Sequence, residues 1–288
     1  MADTAGQSLI RGINIDKKAR NYQNEESIFY KEVNVIATSS REVRWYQKTS
    51  GYLTATAPIT IVTAEGATPF VLETSWTRNT SYTKKYALDT PYITMEDESD
   101  SEVKVFMDNM EEIVAAIIND RDGDIWDVAT ESQSPVNINS VTTVAAWDAG
   151  SGQDPMRDVS EALRKIRQET KRKVQNPKLY VSAKGEEDLK VWLTTGKGTY
   201  FTELASKTIE DGVLTRFGGC SVVVSENVTA DYALVADLKK STEYREFTPL
   251  RTAIIEEPLI GRKVRAVTNG IAILVKPKFN ALIANTES

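Results

Sequence analysis

The chain has 288 residues, of which 41% are hydrophobic and 26% are charged, and it carries a net charge of −6. This composition is typical of a globular protein with one large domain or two smaller ones, and no apolar run approaches the ~18 residues that span a bilayer. The mild negative charge argues against nucleic-acid binding over the whole surface. The N-terminal residues lack the charged and apolar regions of a secretory signal, so none is predicted.

The sequence contains no histidine. This excludes Ser-His-Asp and Cys-His nucleophile systems, histidine-ligated zinc and histidine acid–base catalysis. Carboxylate, lysine and hard-metal chemistry remain open, although catalysis as a whole is disfavoured. The single cysteine, Cys220, excludes an internal disulfide and suits a reducing compartment. Because it lies in the apolar run Cys-Ser-Val-Val-Val, we predict that it packs in the core.

The first 95 residues fall into a polar part and a β-rich part. Residues 1–30 are mostly polar and predict either a frayed terminus or an arm that orders against a neighbour. The stretch 48–70 is dominated by threonine and has little apolar mass, so a hairpin there would need a surface to lie on. Runs rich in Val, Ile, Thr, Tyr and Trp predict strands at Phe29–Ala37, Glu42–Gln47, Ala57–Thr63, Phe70–Asn79 and Tyr82–Leu88.

A long amphipathic helix is predicted over residues 101–122. Ser99 and Glu102 fit a capping box at its start, and Gly123 fits the position after its end. Its length of roughly 20 residues exceeds the usual 11 or 12, which suggests a spine that carries a sheet. Residues at helical spacing form one apolar stripe: Val103, Phe106, Met107, Met110, Ile113, Val114, Ile117 and Ile118.

From Asp154 onward the pattern is α/β. Asp154 and Pro155 predict the cap and first residue of a helix that runs from Met156 to about Val174, before Asn176-Pro177. Gly218-Gly219 predicts a turn between two strands. Further elements are predicted as strands Leu179–Ala183, Gly212–Gly218, Cys220–Ser225, Tyr232–Asp237, Ser241–Phe247, Thr252–Glu257 and Lys263–Lys276, and a helix Gly185–Leu193.

One acidic segment suggests calcium binding, because Asp120, Asp122 and Asp124 have the 1, 3, 5 spacing of an EF-hand loop and Glu131 is at position 12. However, Ile125 is at position 6, where the calcium loop requires glycine. A turn-rich, solvated exit from the helix is therefore the favoured interpretation. Whether residues 120–131 bind calcium remains open at this stage.

Other charged motifs give weaker indications of a site. Gly196–Thr199 (Gly-Lys-Gly-Thr) resembles part of a phosphate loop, but Val191 replaces the required glycine and the segment follows a helix, so an exposed loop is favoured. Glu256 and Glu257 are adjacent in a strand and would point to opposite faces. We predict no catalytic, cofactor-binding or metal-binding residues. A basic helix permits non-specific phosphate contact, although a solvated face is favoured: Arg164, Lys165, Arg167, Lys171, Arg172 and Lys173.

The order of these elements resembles the major capsid protein of tailed phages and related viruses, the Hong Kong 97-like fold. The resemblance covers about residues 25–280 and rests on the ordered set of segments, since no single motif is specific. Ser221 departs from the pattern, because proline is usual at this position. The similar segments are Tyr86–Thr94 before the long helix, Asp154–Leu163, Asn176–Ser182 and Phe217–Asn227.

The resemblance implies an α+β chain divided by region. It implies an N-terminal arm (1–30), an extended E-loop hairpin with flanking strands (31–95) and a peripheral domain (96–153) with the spine helix 101–122. An axial domain (154–245) and return strands with a C-terminal tail (246–288) would complete it. Some relatives join an E-loop lysine to a neighbour's asparagine. Lys48 and Asn280 are residues of these kinds, but no pair is identified.

The implied function is structural: hexamers and pentamers in an icosahedral virion capsid that encloses double-stranded DNA. The resemblance implies non-specific contact with that DNA, assembly in the host cytoplasm, no membrane partner, and scaffold, portal and decoration proteins as further partners. Two alternatives remain. One is an encapsulin-type shell that loads cargo enzymes, and the other is a histidine-free, metal-dependent α/β enzyme.

Overall fold

The computed structural model describes residues 17–23, 25–50, 74–94, 96, 105–196, 214–258 and 260–287. The chain divides into two units, and each unit is built from segments that are distant in sequence. The first falls within Met1–Arg44, Thr80–Ile125 and Tyr244–Ile273, and the second within Trp45–Asn79, Trp126–Glu243 and Leu274–Ser288.

A five-stranded sheet forms the centre of the first unit. Two long strands, β11 (Thr242–Glu257) and β12 (Gly261–Leu274), lie side by side within it. The strand order is β1-β11-β12-β4, and β5 also pairs with β12. Strands β12 and β4 are antiparallel, with Val267 opposite Ala87. This unit also contains helix α1 (Phe29–Glu32), β1 (Asn34–Ala37), β4 (Lys84–Asp89) and β5 (Ile93–Thr94). Residues 17–23 are helical too, and Ala19 is buried against the long helix.

The long helix α2 (Val105–Ala129) packs its apolar stripe on this sheet. Val114, Ile117 and Ile118 form a buried cluster with Leu250 of β11 and Ala266 of β12. Met110 packs near Val264 in a neighbouring cluster. The prediction that this helix packs its apolar stripe on a sheet is thus confirmed for the described residues. The predicted capping box of Ser99 and Glu102 lies outside them.

The predicted end of this helix at residue 122 is wrong, because the helix continues through Gly123 to Ala129. A glycine inside a helix costs about 1 kcal/mol. The next turns nevertheless bury Ile125, Trp126 and Ala129, each at 1% exposure or less. Burial of large apolar side chains stabilises by roughly 1.5–3 kcal/mol each, so it outweighs the glycine.

The second unit contains a six-stranded mixed sheet in the order β6-β13-β10-β7-β9-β8. Its core strand β10 pairs antiparallel with both β13 and β7, while β13 with β6 and β7 with β9 are parallel. A cluster of buried apolar residues joins this sheet to two helices. The elements are β6 (Asn139–Thr142), α3 (Pro155–Thr170), β7 (Lys178–Val181), α4 (Ala183–Val191), β8 (Arg216–Phe217), β9 (Cys220–Val224), β10 (Tyr232–Ala236), α5 (Leu238–Ser241) and β13 (Asn280–Ala284).

Helix α3 begins as predicted. The Asp154 side chain accepts a hydrogen bond from the Arg157 N–H, and Pro155 occupies the first turn. Its end was predicted too late, since the helix stops at Thr170 rather than near Val174. Lys171 takes the left-handed conformation, with φ +51°, and its N–H bonds the Arg167 carbonyl. This C-cap closes the helix before the Asn-Pro pair.

A separate hairpin pairs β2 (Glu42–Ser50) with β3 (Ser75–Tyr82). The predicted strand Ala57–Thr63 between them lies outside the described residues. No residue of β3 is buried. Three aromatic side chains on this hairpin are exposed: Tyr46 at 58%, Trp76 at 44% and Tyr82 at 70%.

Other predicted boundaries also change. The predicted strand Phe29–Ala37 is a helical turn, α1, followed by β1. The two predicted strands Ser241–Phe247 and Thr252–Glu257 are one strand, β11, which passes through Pro249. Within the predicted strand Gly212–Gly218, only Arg216–Phe217 is extended in the part that the structure describes. Among the described helices, none is both long and apolar enough to cross a bilayer.

Candidate functional site

The exposed face of α3 carries a stripe of positive charge. Arg157, Arg164 and Arg167 are separated by seven and three residues, and Lys171 follows four residues later as the C-cap. At 3.6 residues per turn these spacings place the three arginines on one side of the helix, over about 15 Å of its axis. All four side chains are exposed. We call Arg157, Arg164, Arg167 and Lys171 the basic stripe.

A shallow groove of about 500 Å³ runs beside the basic stripe. Its opposite wall is the Gly218-Gly219 turn between β8 and β9. Both glycines have positive φ, +55° and +86°, as a tight hairpin turn requires. A Cβ on Gly218 would lie 2.7 Å from Val159 Cγ1, so only glycine lets the turn sit this close to α3. The lining residues are Ser160, Leu163, Arg164, Arg167, Gln168, Lys171, Pro177, Gly218 and Gly219.

In the part of the chain that the structure describes, two of the six predicted basic residues have acidic partners. Lys165 lies 3.3 Å from Glu161 and donates to the Ser140 carbonyl at 2.7 Å, so it points away from the stripe. Arg164 contacts Glu161 at the longer distance of 3.4 Å. Within the described ranges, no ion pair reaches the remaining four side chains: Arg167, Lys171, Arg172 and Lys173.

The positive charge at the end of α3 also affects a residue of the hairpin. The pKa of Lys48 lies below its ordinary value, first because the amine is partly desolvated and then because Arg172 and Lys276 repel a further positive charge. The described residues that line a second small depression are all basic: Arg167, Lys171, Arg172 and Lys173. The end of α3 is therefore a site of concentrated, locally uncompensated positive charge. The sequence predicted all four of these residues. It did not single out Arg157 at the start of the basic stripe, although the seven-residue spacing to Arg164 indicates that both lie on one side of the helix.

The acidic segment that suggested calcium has other partners. The Asp122 carboxylate accepts hydrogen bonds from the backbone N–H groups of Ile28, Phe29 and Tyr30 at 2.7, 3.0 and 3.2 Å. It therefore caps helix α1, which explains why residues 29–32 form a helix rather than the predicted strand. Asp124 accepts from Lys84 at 2.6 Å and from the Tyr86 hydroxyl. Since α2 is continuous here, these carboxylates belong to a helix and not to a calcium loop.

Glu131 is also engaged, in the loop that follows α2. Its carboxylate accepts from the N–H groups of Val136, Asn137 and Ile138 at 2.7, 2.8 and 3.3 Å, and so closes this loop. Within the described ranges, no group of three or more acidic, histidine or cysteine residues could hold a metal ion. Residues 120–129 are helical, so they do not form an EF-hand loop. The favoured interpretation, a turn-rich and solvated exit, is also wrong, because the helix continues and Arg121 and Asp122 are buried.

A buried cation lies next to these carboxylates. Arg121 is 1% exposed, and its guanidinium carbon is 3.7 Å from the centroid of the Tyr30 ring and 6.0 Å from that of Tyr244. Burial, and then the negative charge of Glu246, raise the pKa of Tyr30 to about 12. Tyr30 donates its hydroxyl to Glu246 at 3.0 Å. This group ties α1 and β11 to α2 by cation–π and charged contacts, which is a structural arrangement rather than a reactive one.

The remaining candidate residues do not come together as a site. Cys220 is buried in the core, as predicted, and burial raises the pKa of its thiol to about 12. Asn280 is 0% exposed and donates to the Ala129 carbonyl at 2.8 Å, so its side chain is not accessible to a neighbour's lysine. Glu256 and Glu257 are exposed near the end of β11. Of Gly196–Thr199, the last three residues lie outside the described ranges.

No protein-family model and no curated protein matches the sequence. Solved structures do match it over nearly its whole length. A virus-like particle from Pyrococcus furiosus is 9% identical with a TM-score of 0.65, covering 95% of this chain and 99% of that chain. The capsid of Cyanophage P-SCSP1u is 11% identical with a TM-score of 0.67, covering 91% and 89%. A chain of Mycobacterium phage Che8 is 14% identical with a TM-score of 0.62, covering 91% and 92%.

These likenesses show the fold. The chain has the mixed α+β architecture of Hong Kong 97-type capsid structures, as its order of elements predicted.

Proposed function

We propose that this chain is a structural major capsid protein, which assembles into the hexamers and pentamers of an icosahedral head. The observation that carries the proposal is the extent of the likeness. Each reported match covers about nine tenths or more of both chains, so the whole subunit is alike and not one shared domain. A fold alone does not imply a function. The surface of the chain supplies a second, independent argument.

The hairpin β2–β3 presents an exposed aromatic surface. Tyr46, Trp76 and Tyr82 are exposed at 58%, 44% and 70%, and no residue of β3 is buried. A two-stranded hairpin is marginally stable in water by itself. Exposed aromatic residues that gather on one element mark a surface that another protein covers. In a shell the neighbouring subunit would cover it, and the hairpin's stability would then depend on assembly.

The proposal assigns the regions as the resemblance implied them. Residues 1–30 act as the N-terminal arm, 31–95 as the E-loop with its flanking strands, and 96–153 as the peripheral domain. Residues 154–245 form the axial domain, and 246–288 return to the peripheral domain and the tail. The spine helix of this assignment extends to Ala129. Head-to-tail contacts between identical copies close into rings when the rotation per copy divides a full turn.

The shell would enclose double-stranded DNA, lie in the virion and assemble in the host cytoplasm with scaffold, portal and decoration proteins. Its role is mechanical, so we expect no catalytic turnover.

Sedimentation velocity and negative-stain microscopy of the purified full-length chain test this proposal. We expect rings or closed shells on the order of tens of nanometres across, built from repeated copies. A chain that stays monomeric across a range of salt and protein concentrations would contradict it. Circular dichroism on the same sample separates failure to assemble from failure to fold.

A second candidate is a shell that loads protein cargo instead of a genome. The match to a particle described as virus-like, and not as a phage capsid, is the observation that favours it. Purified, nuclease-treated shells distinguish the two functions by their contents. Protected DNA supports the capsid, while a stoichiometric co-purifying protein supports the cargo shell. No observation favours the third alternative, a metal-dependent enzyme.

A further inference from the structure

We propose that the basic stripe of α3 binds the phosphate backbone of double-stranded DNA, and that this surface is where the shell contacts its contents. The inference rests on the proposed capsid function. It goes further by assigning the contact to Arg157, Arg164, Arg167 and Lys171, with Arg172 and Lys173 as its continuation.

The arrangement of charge fits an extended polyanion. The three arginines cover about 15 Å of helix axis, and the basic residues 171–173 prolong the row. Double-stranded DNA carries one negative charge per ≈ 1.7 Å of its axis, so a row of cations meets phosphate along its length. A single small anion would instead require donors that converge on one point.

The chemistry of the groove fits phosphate rather than bases. Among the described residues, no aromatic side chain and no carboxylate lines it, so this lining offers bases no stacking platform and does not repel phosphate. Arginine predominates in the stripe, and its planar guanidinium binds phosphate oxygens with two parallel hydrogen bonds. Contact with the backbone alone carries no sequence information, as a packaged genome requires.

The contrast with other basic side chains strengthens the argument. Several lysines and arginines of this acidic chain are neutralised by a carboxylate at 2.6–3.0 Å, including Lys84, Lys184 and Arg265. Arg167 and Lys171 have no such partner among the described residues. Because the net charge of −6 repels DNA overall, a local row of mostly unpaired cations is where attraction can occur.

A second copy of the chain is the competing occupant. The exposed face of α2 carries Asp108, Glu111, Glu112 and Asp120, which could meet the basic stripe of a neighbour. Under that alternative, the stripe would be required for assembly. Under the DNA proposal, it is dispensable for assembly.

The test compares two triple variants with the wild type. The stripe variant is Arg164→Gln, Arg167→Gln and Lys171→Gln. The matched control is Lys85→Gln, Lys239→Gln and Arg251→Gln, which removes the same charge from exposed positions elsewhere. At the two helical positions, glutamine has a helix propensity close to that of arginine, and all three substituted side chains are exposed, so we expect the stripe variant to fold. Circular dichroism checks folding, and the single variant Arg167→Gln replaces the triple if it misfolds.

Fluorescence anisotropy measures the binding of unassembled full-length subunits to a DNA duplex of about 25 base pairs. The measurement is repeated between about 50 and 200 mM salt. We expect the stripe variant to bind about tenfold or more weakly at the lower salt. The slope of log K against log salt concentration should become less negative by about 2 to 3, which is close to one for each lost phosphate contact. The control should shift by less than about twofold, and all three proteins should still assemble into shells.

An unchanged affinity and salt slope in the stripe variant would overturn the inference, as would absence of DNA binding by the wild type. A folded stripe variant that fails to assemble, while the control assembles, would overturn it in favour of the second copy. If the wild type binds DNA through the stripe but forms no shell, the capsid proposal fails and the assignment of the phosphate-binding surface stands.

Discussion

The six-stranded sheet and the hairpin β2–β3 differ in how much of their side-chain surface is buried within the subunit. Four of the five residues of β10 are buried, and this strand has a partner on each side. In the hairpin, no residue of β3 is buried, and the aromatic side chains of Tyr46, Trp76 and Tyr82 are exposed. The sheet is stabilised by its own core. Strand β3 contributes no residue to a core, and the exposed aromatic side chains of β2 and β3 are available to another molecule.

The comparison predicts that mutations in the two regions separate folding from assembly. The largest effect is expected from Ile166→Ala, because Ile166 is 0% exposed in the core cluster of the second unit. Removing buried methyl groups from isoleucine typically costs 2–5 kcal/mol, a large fraction of the stability of a domain. Chemical denaturation should show this loss, and assembly should fail with it. Val144→Ala, at a position that is 87% exposed, should change stability by less than about 0.5 kcal/mol.

Mutations in the hairpin should impair assembly and leave folding stability nearly unchanged. In the triple variant Tyr46→Ser, Trp76→Ser and Tyr82→Ser, we expect little change in the denaturation midpoint. The protein concentration needed for assembly should rise by about tenfold or more, since interface aromatics commonly contribute over 1 kcal/mol each. Light scattering against concentration measures this. The control Val136→Ser, Val144→Ser and Val191→Ser removes exposed apolar groups elsewhere. If this control impairs assembly equally, the hairpin has no special role.

The smallest effect is expected at the surface of the first unit. Hydrogen bonds from Arg265, and then from Lys263, hold the pKa of Asp89 well below its ordinary value. A carboxyl whose folded pKa is lowered stabilises the protein above its unfolded pKa of about 3.9, and this contribution is lost as the pH falls toward the folded value. Asp89→Asn should therefore reduce the free energy of unfolding at pH 7 by less than about 1 kcal/mol.

The difference between variant and wild type should shrink as the pH is lowered below about 4. A difference that grows on acidification would show that Asp89 does not act through these ion pairs. Denaturation curves at about pH 7, 5 and 3, which lie on both sides of the unfolded pKa of aspartate, measure this difference.

The sequence by itself determined the features that depend on neighbouring residues. The apolar stripe of α2, the Asp154-Pro155 start of α3 and the Gly218-Gly219 turn were readable because each follows from local periodicity or backbone preference. The order of these elements was sufficient to indicate the fold. The sequence also identified the basic residues of α3, but not which of them share one exposed side of the helix.

Tertiary structure decided the features that depend on residues far away in the chain. Asp122 caps a helix turn at Phe29, 93 residues earlier, and so converts a predicted strand into α1. Burial of Trp126 carries α2 past Gly123. The Ser140 carbonyl, 25 residues earlier, accepts a hydrogen bond from Lys165 at 2.7 Å, which holds this lysine away from the basic stripe. In each case a long-range contact contributes more free energy than the local preference it opposes, and no window of the sequence contains both partners.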